Sequence, residues 1–160
     1  MKAISRGQLC YNLYFCHMNV TRLFAIIAFT LAILCSSSCR RRNPSGIPYV
    51  PVNLQLTVSN PEFVNLQAIG GWVYIGGGSQ GIIVFRASAE EFKAFDRHCT
   101  FQVDDYCRLS VDETGNRAVD EVCCESKFLL FDGAPIEGPA NLGLHQYNTQ
   151  YNGNTLWITN

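Results

Sequence analysis

The runs WVYIG (72–76), GIIVFRAS (81–88) and FKAFDRH (92–98) decide the fold. Each is short and rich in β-branched and aromatic residues, which suit a pleated, half-buried surface. Gly76-Gly77-Gly78 separates the first two. It is neither a GxGxxG nor a Walker pattern and no helical pattern follows it, so it reads as a hairpin turn. Between the second and third runs lies Ser88-Ala89-Glu90-Glu91-Phe92, the one plausible helical turn, since Ser88 with Glu91 matches a capping box.

The same texture continues outward. LQLTVS (54–59) comes before; RLSVD (108–112), FLLFD (128–132) and TLWIT (155–159) come after. Gly70-Gly71, Thr114-Gly115-Asn116, Asp132-Gly133 and Asn152-Gly153-Asn154 punctuate them. No stretch sustains a helical period, so the expectation is an all-β domain over residues 53–160, built of small antiparallel sheets. Trp72, Phe85, Phe95, Phe128 and Trp157 are the expected core aromatics. Asp96, Asp104, Asp105, Asp112 and Asp120 lack EF-hand spacing and are expected on a solvated acidic rim.

The front of the chain reads as an address. LFAIIAFTLAILC (23–35) is short of the roughly 20 apolar residues that span a bilayer. Arg22 precedes it, and SSSC and Arg40-Arg41-Arg42 follow. A basic start, a short apolar core and small residues before a cut make a secretory signal. A cysteine after small residues resembles the acceptor of a bacterial lipoprotein signal. Cys39 fits best, behind Ser36, Ser37 and Ser38; Cys35 follows the bulky Leu34 and ranks second. Residues 1–39 are therefore expected to be the lipoprotein signal, with Met18 a possible true start, which would leave Cys10 and Cys16 outside the protein. Residues 40–52 are the expected linker, with Arg40 to Arg42 placed to meet anionic headgroups. The domain is then tethered to the bacterial cell envelope by lipid, in a compartment where disulfides persist.

Charge narrows the partners. Residues 1–42 hold six Lys or Arg and no acid, whereas residues 43–160 hold the other six and all thirteen acids. A domain that acidic has no basic face for a phosphate backbone, so nucleic acid is excluded as a partner. No nucleophile motif joins Ser110, Ser126, His98 and His145, and no enzymatic role is expected.

Four cysteines remain in the domain: Cys99, Cys107, Cys123 and Cys124. They stand in Cys99-Thr100-Phe101, at Cys107, and in Cys123-Cys124-Glu125-Ser126-Lys127-Phe128, upstream of Glu137-Gly138-Pro139-Ala140. This order resembles the Rieske family, whose pattern runs C-x-H, a spacer, C-P-x-H-G-S-x-F, then Gly-Pro-Ala and a final strand pair. The resemblance covers about residues 70–160; Ser126-Lys127-Phe128 and Glu137-Gly138-Pro139-Ala140 are its most specific pieces. GIIVFRAS before FKAFDRHC also resembles the family's strand pair ahead of its first ligand loop. It implies a Rieske-like fold of three small antiparallel sheets, with two cysteine-bearing loops at one tip.

A Rieske [2Fe–2S] centre takes two thiolates on one iron and two imidazoles on the other. The resemblance sets Cys99 at the first thiolate, Phe101 at the first imidazole, Glu121 at the second thiolate and Cys124 at the second imidazole. A one-residue slip makes Cys123 the second thiolate and still supplies no histidine. His98, beside Cys99, is expected to point elsewhere, and His145 lies in a late strand. Cys107 and Cys123 fall where one branch of the family carries a disulfide clamping its loops; Cys99–Cys124 would then be a second bridge on the old ligand sites.

The cysteines thus admit two disulfides, a [2Fe–2S] cluster on four thiolates, or a Cys₄ zinc site. A bond between the adjacent Cys123 and Cys124 is disfavoured, their Cα atoms being about 3.8 Å apart. The expectation is two disulfides and no cofactor, in a non-catalytic binding or accessory module. Phe101 would be its contact with an envelope protein. The competing expectation is an electron-transfer protein with a cysteine-ligated [2Fe–2S] cluster.

Overall fold

The computed structural model describes Ala25 and residues 45–160. The signal segment, Met18, Cys10, Cys16, Cys35, the lipid acceptor Cys39 and Arg40 to Arg42 lie outside the described residues. Ten strands follow in order: β1 (Asn53–Thr57), β2 (Trp72–Ile75), β3 (Ile82–Arg86), β4 (Phe92–Asp96), β5 (Ser110–Val111), β6 (Arg117–Val119), β7 (Lys127–Leu129), β8 (Pro135–Glu137), β9 (Gln146–Tyr151) and β10 (Thr155–Thr159). All strand pairs are antiparallel. One sheet runs β1-β10-β9-β4-β3-β2, the other β5-β6-β7-β8.

The resemblance implies three sheets; here two of them fuse. β9 pairs with β4 through Tyr147 and Gln146 and with β10 through Asn148 to Tyr151, so one strand belongs to both.

β3 explains the layering. Ile82 and Val84 point into one apolar cluster with Val52, Leu56, Phe63, Leu66, Phe92, Ala94, Tyr147, Leu156 and Ile158. Ile83 and Phe85 point into another, with Phe95, Leu109, Ala118, Phe128 and Leu130. Alternate residues of a strand face opposite sides. A strand buried on both faces therefore reads as an unbroken apolar run, which is what Ile82 to Phe85 provide. The first cluster forms the base. The second lies between the two sheets and reaches the cysteine loops.

Several expectations need correction. Ser88 Oγ does accept the N–H of Glu91 (3.1 Å), yet the segment is the turn of the β3–β4 hairpin, closed by Ala87 and Ser88 N–H on the Glu91 carbonyl. A 3₁₀ helix lies instead at Pro61–Gln67, with proline in its first turn and Phe63 and Leu66, three apart, buried, and a shorter one at Val103–Asp105. Arg86 fastens its end by donating to the carbonyls of Leu66 and Gln67. Trp157 is half-buried, because Leu156 and Ile158 take the inward positions of β10. The linker expected at 40–52 is structured at its end: Val52 belongs to the base core and exchanges hydrogen bonds with Asn160.

Two of the expected surface acids are fully buried, Asp96 and Asp120. Asp96 ends β4 by turning its carboxylate onto the Gly76–Gln80 loop. It accepts the N–H groups of Ser79 (2.6 Å), Gln80 (3.2 Å) and His98 (2.9 Å) and the Tyr147 hydroxyl (2.7 Å). Gly78 must be glycine here: its φ is +62°, and a Cβ would stand 2.4 Å from that carboxylate. Burial, then the hydrogen bond to Asp96, pushes the Tyr147 hydroxyl far above its ordinary pKa.

Candidate functional site

Three loops meet beyond the second cluster: residues 97–109 after β4, 120–126 between β6 and β7, and 138–145 between β8 and β9. Each pair is tied. Cys107–Cys123 is a disulfide joining the first loop to the second. Thr100 Oγ1 donates to the Leu142 carbonyl (2.7 Å), joining the first to the third. Ser126 Oγ accepts the Ala140 N–H (3.2 Å), joining the second to the third. Gly138 permits that last approach, since a Cβ on it would lie 2.5 Å from Ser126 Cα. Among the described residues, the non-glycine positions with positive φ are Gln102, Tyr106 and Glu125, all in the first two loops. Backbone held in this region is uncommon, and it collects where loops are constrained for function.

Between the loops lie two thiols and a carboxylate. Cys99, fully buried, places its Sγ 3.7 Å from Cys124 Sγ. The Cys124 thiol donates to Asp120 Oδ2 (3.2 Å) and contacts Ser126 Oγ (3.0 Å). Asp120 Oδ1 is held from the other side by the N–H groups of Val122 (3.2 Å) and Cys123 (3.0 Å). The donor atoms of Cys99, Asp120 and Cys124 all lie within 4.8 Å of one another.

The electrostatics follow from this packing. Burial pushes the Cys99 thiol well up, and hydrogen bonds to Asp120 and Cys124 add to that against an opposing Phe101 N–H. For Asp120, burial pushes upward, but the donors around it, the Cys123 N–H foremost, outweigh it and hold the carboxyl below its ordinary range. The site thus sets the Cys99 thiol, its pKa raised, beside the Asp120 carboxyl, its pKa lowered.

The expected site residues are brought together unevenly. Cys107 and Cys123 are bonded to each other, as the resemblance implied. Cys99 and Cys124 face each other but are thiols, so the second expected bridge is not present. The free thiols among the four are thus Cys99 and Cys124. Glu121, expected at a ligand position, is exposed; its neighbour Asp120 occupies the site. Phe101 is half-buried and packs on the cluster containing Cys99 and Cys107.

Neither domain histidine belongs to this donor group, and the buried Nε2 of His145 has no hydrogen-bond partner. His98 is fully buried, its Nδ1 2.8 Å from Ser79 Oγ and its Nε2 2.8 Å from the Val103 carbonyl. His145 precedes β9 and packs edge-on to Tyr147. The residue that sequence reasoning missed is Asp120. Its only signal was an acid three residues before Cys123, where a side chain can accept the N–H groups of the turn that follows.

No family model matches the chain, and no curated protein does. Among solved structures, the chain is similar to the cyanobacterial plasma membrane Rieske protein PetC3 from Synechocystis PCC 6803. The TM-score is 0.52 at 19% identity, covering 67% of this chain and 99% of that one. The fold is thus Rieske-like: all-β, with antiparallel sheets. Among the described residues, no helix is long and apolar enough to cross a membrane.

Proposed function

We propose that this chain is an envelope lipoprotein whose Rieske-like domain has given up the Rieske centre and acts as a non-catalytic binding module. The carrying observation is the donor set at the loop tip. A Rieske centre takes two thiolates and two imidazoles, and a [2Fe–2S] cluster without histidine takes four thiolates. The tip offers two thiols, a carboxylate and a hydroxyl. Both ring nitrogens of His98 are engaged away from it, and Cys107 and Cys123 are joined to each other. These residues do not fit the cluster.

The same chemistry argues against thiol catalysis. A nucleophilic cysteine is a thiolate in an electropositive, accessible setting. Cys99 is fully buried, and that burial pushes its thiol pKa up, away from the thiolate a nucleophile needs.

What the braced loops do present is apolar surface. Tyr106, Val122 and Leu142, one from each loop, are 52%, 89% and 48% exposed. Val122 and Tyr106 flank the two ends of the disulfide, and the Leu142 carbonyl holds Thr100. These side chains, rather than Phe101, form the proposed partner-facing tip. Lipid on Cys39 would hold that tip at the envelope surface.

The test is iron and acid-labile sulfide analysis of the chain purified without oxygen. Neither iron nor sulfide is expected. About two irons and two sulfides per chain, the content of a [2Fe–2S] cluster, would overturn this reading and make the protein an electron carrier.

A further inference from the structure

We propose that Cys99, Cys124 and Asp120 form a mononuclear site for a thiophilic divalent cation of the zinc class. Sulfur spacing is the first argument. Two thiolates on a tetrahedral zinc, each with a bond of about 2.3 Å, lie about 3.8 Å apart. The Cys99 and Cys124 sulfurs are 3.7 Å apart. A disulfide requires about 2.05 Å, so the two sulfurs are not bonded to each other, and their contact distance matches the span across one ion.

The third donor is built in. Asp120 Oδ1 is held by two backbone N–H groups, which leaves Oδ2 directed at the sulfurs. Such outer hydrogen bonds are how proteins orient a ligating carboxylate. Asp120 is fully buried and fixed in place, unlike the solvated acids of the surface.

Donor chemistry selects the ion. Two sulfurs with one carboxylate suit zinc, whereas copper(I) prefers thiolate and thioether alone, and magnesium and calcium prefer oxygen. Three protein donors leave a fourth position, and Cys124, the half-exposed member, marks the side on which water fills it. The loops need no metal to come together, because the Cys107–Cys123 disulfide and the Thr100 and Ser126 hydrogen bonds already hold them. Binding is balanced by proton release: the ion replaces the two thiol hydrogens, which leave as two protons, and Asp120 is already ionised.

The full chain, with its disulfide intact, is titrated with cobalt(II) chloride and then zinc chloride. One cobalt per chain is expected, with a thiolate-to-cobalt charge-transfer band that one equivalent of zinc abolishes. Zinc should also shield two thiols from an aromatic disulfide reagent. Cys124→Ser, at the half-exposed position, should lose that shielding and at least halve the band while near-ultraviolet circular dichroism stays native. Asp120→Asn should keep the band and weaken cobalt at least tenfold. No zinc-dependent shielding of thiols together with no charge-transfer band, or a Cys99–Cys124 disulfide in the chain as purified, would overturn the site. Unchanged cobalt binding in Cys124→Ser would overturn it as well. Because these outcomes involve no sulfide, they are distinguishable from failure of the cluster-free reading.

Discussion

The base and the tip are held together by different physics. The base is a continuous apolar cluster in which Phe63, Phe92, Leu156, Ile158 and their neighbours exclude water from β1, β3, β4, β9 and β10. The tip has three loops joined by one covalent bond and a few polar contacts, with exposed Tyr106, Val122 and Leu142 at its surface. Burial in the base is diffuse, so many substitutions weaken it by degrees. The tip depends on discrete ties, each of which can be cut alone. That separation lets one end keep a fold while the other changes its chemistry.

The largest expected effect lies in the base. Phe92 is fully buried, with Tyr151 and the Arg86 guanidinium against its ring. Phe92→Ala should cost about 3–5 kcal/mol, the range for emptying a buried aromatic site. Urea unfolding should show the same loss with and without reductant, since nothing in that cluster depends on the disulfide.

Cutting the tip's covalent tie comes next. Cys107 and Cys123 are 16 residues apart, and closing a loop of that size contributes about 3 kcal/mol. Cys107→Ser with Cys123→Ser should lose about that much. The distinguishing readout is amide hydrogen exchange: residues 97–109 and 120–126 should exchange faster while β3, β4 and β10 keep their protection. Equal acceleration everywhere would show that base and tip unfold as one unit and would break the comparison.

Asp96 joins the two regions, and its removal should fall below the disulfide. Its carboxylate serves three backbone N–H groups and the Tyr147 hydroxyl. Asp96→Asn replaces an acceptor oxygen by a donor among donors, and leaving buried groups unpaired costs about 1–3 kcal/mol. The Gly76–Gln80 loop and His98 should become mobile together in nuclear magnetic resonance spectra, with the β9–β10 turn unaffected.

The sequence made the base far more legible than the tip. Ile82 to Phe85 and Thr155 to Thr159 announce strands because burial there follows a period of two or an unbroken apolar run. β5 and β7 are two and three residues long, too short for any period to establish itself, so RLSVD and FLLFD shrink to Ser110–Val111 and Lys127–Leu129. The cysteine positions were visible, and the resemblance pointed to the Cys107–Cys123 clamp. Asp120 and Glu121 were not distinguishable, because both are acids in one turn. Only the folded N–H groups of Val122 and Cys123 make one a buried acceptor and leave the other in solvent. Asp96 escaped for the same reason: its donors come from a loop 16 and 17 residues away. Composition cannot report a partner that tertiary structure supplies.

The smallest effect separates a tie from an ornament at the tip itself. Lys127 Nζ lies 2.7 Å from Glu137 Oε2, directly across the β7–β8 register and one residue from both Ser126 and Gly138. Its place suggests a fourth clamp on the loops, and its chemistry says otherwise. The two side chains are 31% and 62% exposed, so water screens the pair and its side-chain ordering offsets most of the attraction. The lysine does lower the Glu137 carboxyl below its ordinary range. Lys127→Ala should leave the urea midpoint and the loop exchange rates unchanged within error. The backbone pairing of β7 with β8 and the Ser126–Ala140 hydrogen bond, both independent of that side chain, already fix the approach of the strands. A measurable loosening of residues 120–126 in Lys127→Ala would instead mean that the tip rests on surface charge, and should then weaken as salt is added.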